Sequence, residues 1–414
     1  YRNRSKEKVK NKKSLEIDTE GILKRMLQKK PELVDVGLVI CDECHERSVE
    51  AEFNLELCIE VQQAMRDDLR LLVMSATLDV VALRALLPEA KLLESQGKSY
   101  PVNIVYQADN SSLHLFEKIS RLVIQVFARH KHDVLVFLPG AADINKAAQY
   151  LNQHFGQLSS QYASQDYSQE RTVEVDVLKL FSELSKNEQQ QALLPHPDGK
   201  RKIVLATNIA ETSLTIEGIE VVIDSGIEKN AIFQLNRGIT HLQSQKISQA
   251  SATQRAGRAG RVMAGTCYRL WSKELHGRLA QQSTPEILQS DVSDLVLEAA
   301  IWGAPIADLA LIDQPNSAQL SQGKEKLMSL GVIEKSHKIT EFGRQVHALG
   351  GNASIAIMLL KSAQLSLAHQ SLACALAALL ESKDPLPQAQ TVEVTPRLTF
   401  LLKNKQHSIW LLIK

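Results

Sequence analysis

Short apolar runs punctuate this chain, and between them apolar positions return every three or four residues. The runs predict strands at 36–41, 69–74, 133–138, 202–206, 220–224 and 266–270, and the longer segments predict amphipathic helices. Strands alternating with helices of this length are the mark of βαβ units, so the pattern predicts an α/β chain with parallel sheet. Residues 36–41 (Val-Gly-Leu-Val-Ile-Cys) read as a strand buried on both faces. Asp42 then stands at the strand's carboxyl end, where open α/β sheets bind ligands. Residues 157–169, rich in Ser, Gln and Tyr, predict a surface loop. Residues 232–235 and 239–242 flank Asn236-Arg237-Gly238, a hairpin signal. Past Trp271 the pattern turns helical: 287–292 opens a helix, 332–333 and 338–339 form a short strand pair, and Ala/Leu-rich helices follow from about 346.

Composition narrows the classes. At 414 residues with 44% hydrophobic positions, two to four domains can each fill a core. The longest wholly apolar run, 372–380, is far short of the ~20 residues that span a bilayer. No charged-then-apolar leader opens the chain. Five cysteines, an odd number without regular spacing, argue against a disulfide framework and for a reducing, cytoplasmic setting. Cys41 and Cys44 form a C-x-x-C that could serve redox or zinc chemistry, but no second pair supplies further ligands. A net charge of +1 excludes a uniformly basic protein, so any nucleic-acid surface must be local. One such place is the amino end, where Arg2, Arg4, Lys6, Lys8, Lys10 and Lys12 fall on alternate positions. They could track phosphates, run as a solvated charged tail, or protect an edge strand.

The densest chemistry lies in Gln254-Arg255-Ala256-Gly257-Arg258-Ala259-Gly260-Arg261. Wound as a helix, it puts Gln254, Arg258 and Arg261 on one face, with one further arginine among small residues elsewhere. Each glycine costs a helix about 1 kcal/mol relative to alanine, so close approach is expected there. A row of guanidinium forks suits a phosphate whose charge must be neutralised.

Q-R-A-G-R-A-G-R resembles motif VI of superfamily 2 helicases, in the form typical of DEAH-box RNA helicases. Other blocks resemble that family's motifs in the same order. They are Thr19-Glu20-Gly21 (Ib), Asp42-Glu43-Cys44-His45 (II), Ser75-Ala76-Thr77 (III), Val136-Phe137-Leu138-Pro139-Gly140 (IV) and residues 206–218 (V). The F-L-P-G block and L-R-L-L-V-M-S-A-T-L-D look most like the bacterial HrpB branch. The resemblance implies tandem RecA-like parallel-sheet domains, the first truncated, then a winged-helix domain and the start of a helical ratchet domain. Its boundaries fall at 1–104, 105–271, 272–345 and 346–414. Gly351-Asn352-Ala353-Ser354 departs from the H-P-R-L often found in the last of these.

The implied function is ATP-dependent unwinding of single-stranded or duplex RNA, with DNA possible and protein partners unspecified. ATP and Mg²⁺ would be the cofactors. Asp42 and Glu43 would hold the magnesium through the nucleotide, a role hard oxygen donors suit, and Glu43 would polarise the attacking water. His45 would couple the nucleotide to Ser75 and Thr77. Gln254, Arg258 and Arg261 would reach the phosphates, Arg258 and Arg261 as fingers, and Glu217 joins the nucleotide set. Thr19, Glu20, Gly21, Thr207, Asn208 and Thr212 would touch the nucleic acid. The hairpin at 232–242 would stand near the duplex junction; as a bare pattern it is equally an ordinary solvent-facing hairpin. The family also carries a G-x-x-x-x-G-K-[ST] phosphate loop ahead of motif II. Here the lone Gly-Lys-Ser, Gly97-Lys98-Ser99, follows motif III and has Leu92 in the first glycine's place. It matches instead the family's segment leading into the second domain. These 414 residues are therefore expected to be a fragment, inactive alone. The alternative is a non-catalytic nucleic-acid-binding module that keeps the fold.

Overall fold

The computed structural model describes residues 15–75, 80–95, 97, 100–108, 111–163, 175–212, 214–382, 384–386 and 393–404. The basic positions from Arg2 to Lys12, together with Thr77, Lys98 and Ser99, lie outside them. Among the described residues the strands are β1 (Leu38–Cys41), β2 (Arg70–Val73), β3 (Val102–Tyr106), β4 (Asp133–Phe137) and β5 (Val175–Leu180). They continue with β6 (Arg201–Ala206), β7 (Ile219–Asp224), β8 (Ile227–Gln234), β9 (Ile239–Lys246) and β10 (Gly265–Arg269). Two compact units result: one holds residues up to Val39, Val49–Arg70 and those from Asp291 on, the other Ile40–Ser48 and Leu71–Ser290.

The second unit is built on a six-stranded parallel sheet, β3-β10-β7-β4-β6-β5. Side chains alternate across β4. Val134 and Val136 pack under the helices Leu115–Arg129 and Ala141–Ala163, while Leu135 and Phe137 meet Ala256 and Ala259 on the other face. The middle of each central strand is apolar because both faces are covered. This is the parallel-sheet α/β architecture the pattern predicted, consistent with the RecA-like fold the resemblance implies. β8 and β9 pair as an antiparallel hairpin, from Ile227↔Lys246 to Gln234↔Ile239. Gly238, at φ +65°, makes the turn, and its amide donates to the Gln234 carbonyl at 2.8 Å.

Three expectations are corrected. Only Val39 of β1 is buried; Leu38 and Ile40 are 48% and 44% exposed, because among the described residues β1 pairs with β2 alone in a two-stranded sheet. The predicted loop at 157–169 is helical through Ala163, since Gln and Ala favour helix once a helix is running, and 164–169 lie outside the described residues. The helix expected at 287–292 begins at Ser293, after a single tight turn at Glu286–Leu288.

In the first unit, helix Glu20–Lys29 packs on helix Val49–Ala64, and Ser293–Trp302 packs on Ser317–Ser329 and Glu341–Leu349. Polar groups, mostly part-buried, tie these layers. Lys24 Nζ lies 3.0 Å from both Glu50 and Glu298, and His347 Nε2 lies 3.0 Å from Glu298. The Ala310 amide donates to Glu56 at 2.8 Å, and the Trp302 indole donates to Glu60. The expected strand pair near 332–339 is a single bridge, Ile333↔Ile339. Where the H-P-R-L pattern fails, Asn352 caps helix Ala353–Ser362 by accepting the Ser354 and Ile355 amides. No described helix is long and apolar enough to cross a membrane.

Candidate functional site

β1 ends at Cys41, and the chain turns through exposed Asp42 into a tight helical turn, Cys44–Glu46. Glu43 and Arg47 bracket this turn in the left-handed region, at φ 54° and 51°. Non-glycine residues held so cost on the order of 1 kcal/mol or more and persist only where the surroundings fix them. Here the fixing bonds are visible. Asp42 Oδ1 accepts the Glu43 amide at 2.9 Å. The Met74 amide donates to the Cys41 carbonyl and the Cys44 amide to the Met74 carbonyl, so the strand end that delivers Ser75 is laced to this turn. The Cys44 thiol donates to the Cys41 carbonyl at 3.4 Å. His45, its side chain 6% exposed, sits 3.4 Å from the Glu43 carboxylate.

Motif V follows β6. The Thr207 amide donates to the Leu180 carbonyl, and exposed Asn208 opens a turn through Ala210. The Thr212 hydroxyl donates to the Glu46 carboxylate, joining motif V to motif II's turn.

Motif VI departs from one continuous helix. The α-helix Gln249–Gly257 tightens into a three-residue turn at Arg258–Gly260. Gly260 explains the tightening. A Cβ there would stand 2.6 Å from the Tyr100 carbonyl and 2.7 Å from Val102, against the entry to β3; nothing lies within 4 Å of one at Gly257. Arg258 is buried and turns back on motif V, donating to the carbonyls of Glu211 (2.9 Å from Nε), Thr212 and Leu214. Arg261 is exposed and donates to the Thr215 hydroxyl at 2.9 Å. Burial pushes the Arg258 guanidinium down to about 10, with the like charge of Arg261 adding to the effect and Glu211 and Glu43 opposing it. Burial also lowers Arg261, again opposed by Glu43. Both remain cations at neutral pH. The motif II carboxylate is thus close enough for both motif VI arginines to feel it.

The sequence-predicted residues therefore divide. Asp42, Glu43, His45, Ser75, Thr207, Asn208, Thr212, Gln254, Arg258 and Arg261 all belong to the second unit, and several are directly bonded. Glu217 is exposed near the amino ends of β4 and β7, where the Gly218 carbonyl accepts the Asp133 amide, and its charge acts on Lys202. Thr19, Glu20 and Gly21 begin helix Glu20–Lys29 in the first unit; the Glu20 carbonyl accepts from the Asn54 amide.

Sequence reasoning passed over a buried charge cluster. Arg255 is 1% exposed and pairs with Glu211 (2.8 Å), Asp224 (3.1 Å) and Glu228 (3.3 Å), over the face of Phe137. Burial raises the Asp224 and Glu228 carboxyls, while the surrounding carboxylates outweigh burial and raise Arg255. A signal existed: Val221-Val222-Ile223-Asp224 repeats the apolar-strand-then-aspartate pattern that singled out Asp42.

Comparison with known proteins finds helicases. The family described as the helicase conserved C-terminal domain matches residues 115–263. The ATP-dependent RNA helicase HrpB of Escherichia coli K12 is 42% identical over 363 residues. Over most of its length the chain is similar to HrpB-like DEAH-box helicases. That match covers 87% of this chain and 43% of the E. coli protein. The ATP-dependent RNA helicase HrpA of Borreliella burgdorferi is 33% identical over 348 residues, 83% of this chain and 40% of its own length. Two crystal structures of E. coli HrpB, described as a DExH-box NTPase and as a DEAH/RHA helicase, superpose with TM-scores of 0.76 and 0.78 at 39% identity. They cover 93% and 94% of this chain, and 46% and 48% of theirs. The chain thus spans less than half the length of these relatives.

Proposed function

We propose that these residues form part of an ATP-dependent RNA helicase, in which the motif II turn and the motif VI arginines take opposite sides of one nucleotide. The observation that carries this reading is the run of bonds from the motif II turn through motif V to motif VI: the Thr212 hydroxyl donates to Glu46, and Arg258 donates to the Thr212 carbonyl. The names of the relatives support RNA and ATP as the ligands. The domain reading stays with RecA-like segments at 1–104 and 105–271, a winged helix at 272–345 and a ratchet start at 346–414.

Asp42 and Glu43 offer the hard carboxylate oxygens that Mg²⁺ prefers beside nucleotide phosphates. Bound there, the ion would neutralise phosphate charge. Glu43, held in place by its strained turn, would orient the attacking water. Gln254 and Arg261 would meet the phosphates, with Arg258 joining them on release from its carbonyls, and Glu217 is retained as a more distant member of the set. His45 would relay the state of Glu43 toward Ser75 and Thr77. Thr207, Asn208 and Thr212, with Thr19, Glu20 and Gly21, would hold the RNA backbone.

The 414 residues contain no G-x-x-x-x-G-K-[ST] loop, so little hydrolysis is expected of them alone. The second reading is a binding module without catalysis. Steady-state kinetics on a chimera in which this chain replaces the matching segment of E. coli HrpB separate the two. Arg261→Ala should lower RNA-stimulated kcat by at least a hundredfold while nucleotide KM changes little, because a transition-state contact appears in kcat. A folded Arg261→Ala chimera with near-normal kcat overturns the finger assignment. A chimera that binds RNA without hydrolysing ATP supports the module.

A further inference from the structure

Arg255 sits one residue from Gln254 and three from Arg258, yet its side chain points away from them into the protein. Its Nε donates to Glu211 at 2.8 Å, its Nη1 to Asp224 at 3.1 Å and its Nη2 to Glu228 at 3.3 Å. Those carboxylates belong to motif V, to the end of β7 and to β8, and the guanidinium stacks 4.9 Å from the Phe137 ring centroid at the end of β4. Asp224 is itself fixed, accepting the Gly226 amide at 2.9 Å. A planar fork can satisfy three acceptors in three directions at once; an ammonium on a flexible stem cannot hold them in one plane.

Glu211 has a second task. Its side chain is held by Arg255, and its carbonyl accepts Arg258 Nε at 2.9 Å. The two arginines of one motif thus grip opposite ends of one glutamate. We infer that Arg255 is a positioning residue for turnover, setting the orientation of Arg258 through Glu211. The inference rests on the nucleotide reading of Arg258 given above.

Arg255→Ala would leave three carboxylates in a buried pocket without their cation and is expected to unfold the site. Two gentler variants carry the test. Glu211→Gln keeps the shape and one acceptor while removing the charge. Arg255→Lys keeps the charge and loses the fork. In the HrpB chimera each should lower kcat about tenfold or more with nucleotide KM within about twofold. Each loss should largely vanish in an Arg258→Ala background, because residues acting through one another are not additive. In the 414-residue chain itself, hydrogen exchange at the Ala210, Glu211 and Thr212 amides should quicken in both variants. Unchanged exchange, or a kcat loss that persists in full without Arg258, overturns the inference. Arg258→Ala with normal turnover instead overturns the nucleotide reading on which it rests; the exchange result then still reports whether Arg255 holds the segment.

Discussion

Replacing Glu46 should tighten the binding of single-stranded RNA by this chain. A hydroxyl has one proton to give, and that of Thr212 goes to the Glu46 carboxylate. A phosphate bonded to Thr212 must therefore displace Glu46, and must also sit beside its negative charge. The second effect can be sized. A phosphate oxygen accepting from Thr212 would lie roughly 5 Å from the carboxylate, and two unit charges at that distance in a water-like medium repel by about 0.8 kcal/mol. Because Glu46 is exposed, the high dielectric is the appropriate one. Glu46→Gln removes this repulsion and should strengthen binding about fourfold. Glu46→Ala also frees the hydroxyl and should gain at least as much. Fluorescence anisotropy of a labelled oligonucleotide at about 0.1 M salt, where 5 Å lies inside the screening length, reads the change. A melting curve controls for folding, and Thr212→Val should remove the part of the gain that comes from the hydroxyl. Equal or weaker binding by both Glu46 variants would refute the placement of RNA at Thr212.

Two stability measurements probe the framework. Gly260→Ala should cost about 1–3 kcal/mol, because its methyl meets the Tyr100 carbonyl and Val102, whereas Gly257→Ala, facing open space, should stabilise by up to about 1 kcal/mol; urea unfolding with the opposite ranking would contradict the packing described. Burial would raise the Glu298 carboxyl, but hydrogen bonds from His347, Gln28 and Lys24 and the charge of Lys24 outweigh it and hold the carboxyl down at about 2, against an ordinary 4.5. A depressed carboxyl stabilises the fold above its unfolded value and loses that contribution as pH falls, so about 3 kcal/mol should disappear between pH 4.5 and 2. Glu298→Gln should flatten that part of the stability curve; an unchanged curve would remove the assignment.

The centre of the sheet was legible because β4, β6 and β7 each carry a run of three or four apolar residues buried between covered faces. Its edges were not. Among the described residues β3 (V-N-I-V-Y) and β5 (V-D-V-L-K-L) each pair on one side only, and they mix polar with apolar residues, which weakens the strand signal. The hairpin was visible only near its tip, since β8 and β9 pair through backbone bonds that side-chain pattern does not report. Motif spacing located Asp42, Glu43, Arg258 and Arg261, but it could not reveal which way an arginine turns. Arg255 and Arg258 are the same residue type three positions apart; one neutralises buried carboxylates and the other caps motif V carbonyls. Helical-wheel reasoning assumed a uniform pitch, and the turn at Gly260 breaks that assumption.

The carbonyl grip of Arg258 has a thermodynamic corollary. Its donors are spent on Glu211, Thr212 and Leu214, so a phosphate that draws the guanidinium away leaves those carbonyls to find other partners. Equilibrium linkage is symmetric: whatever factor phosphate binding contributes to loosening motif V, loosening motif V contributes to phosphate binding. A nucleic acid that engages Thr207, Asn208 and Thr212 and prefers the loosened segment would raise nucleotide affinity by the same factor that nucleotide raises its own. A ligand that prefers the gripped segment would act with the opposite sign. One side chain thus suffices to make two ligands sense each other, without either touching the other's site.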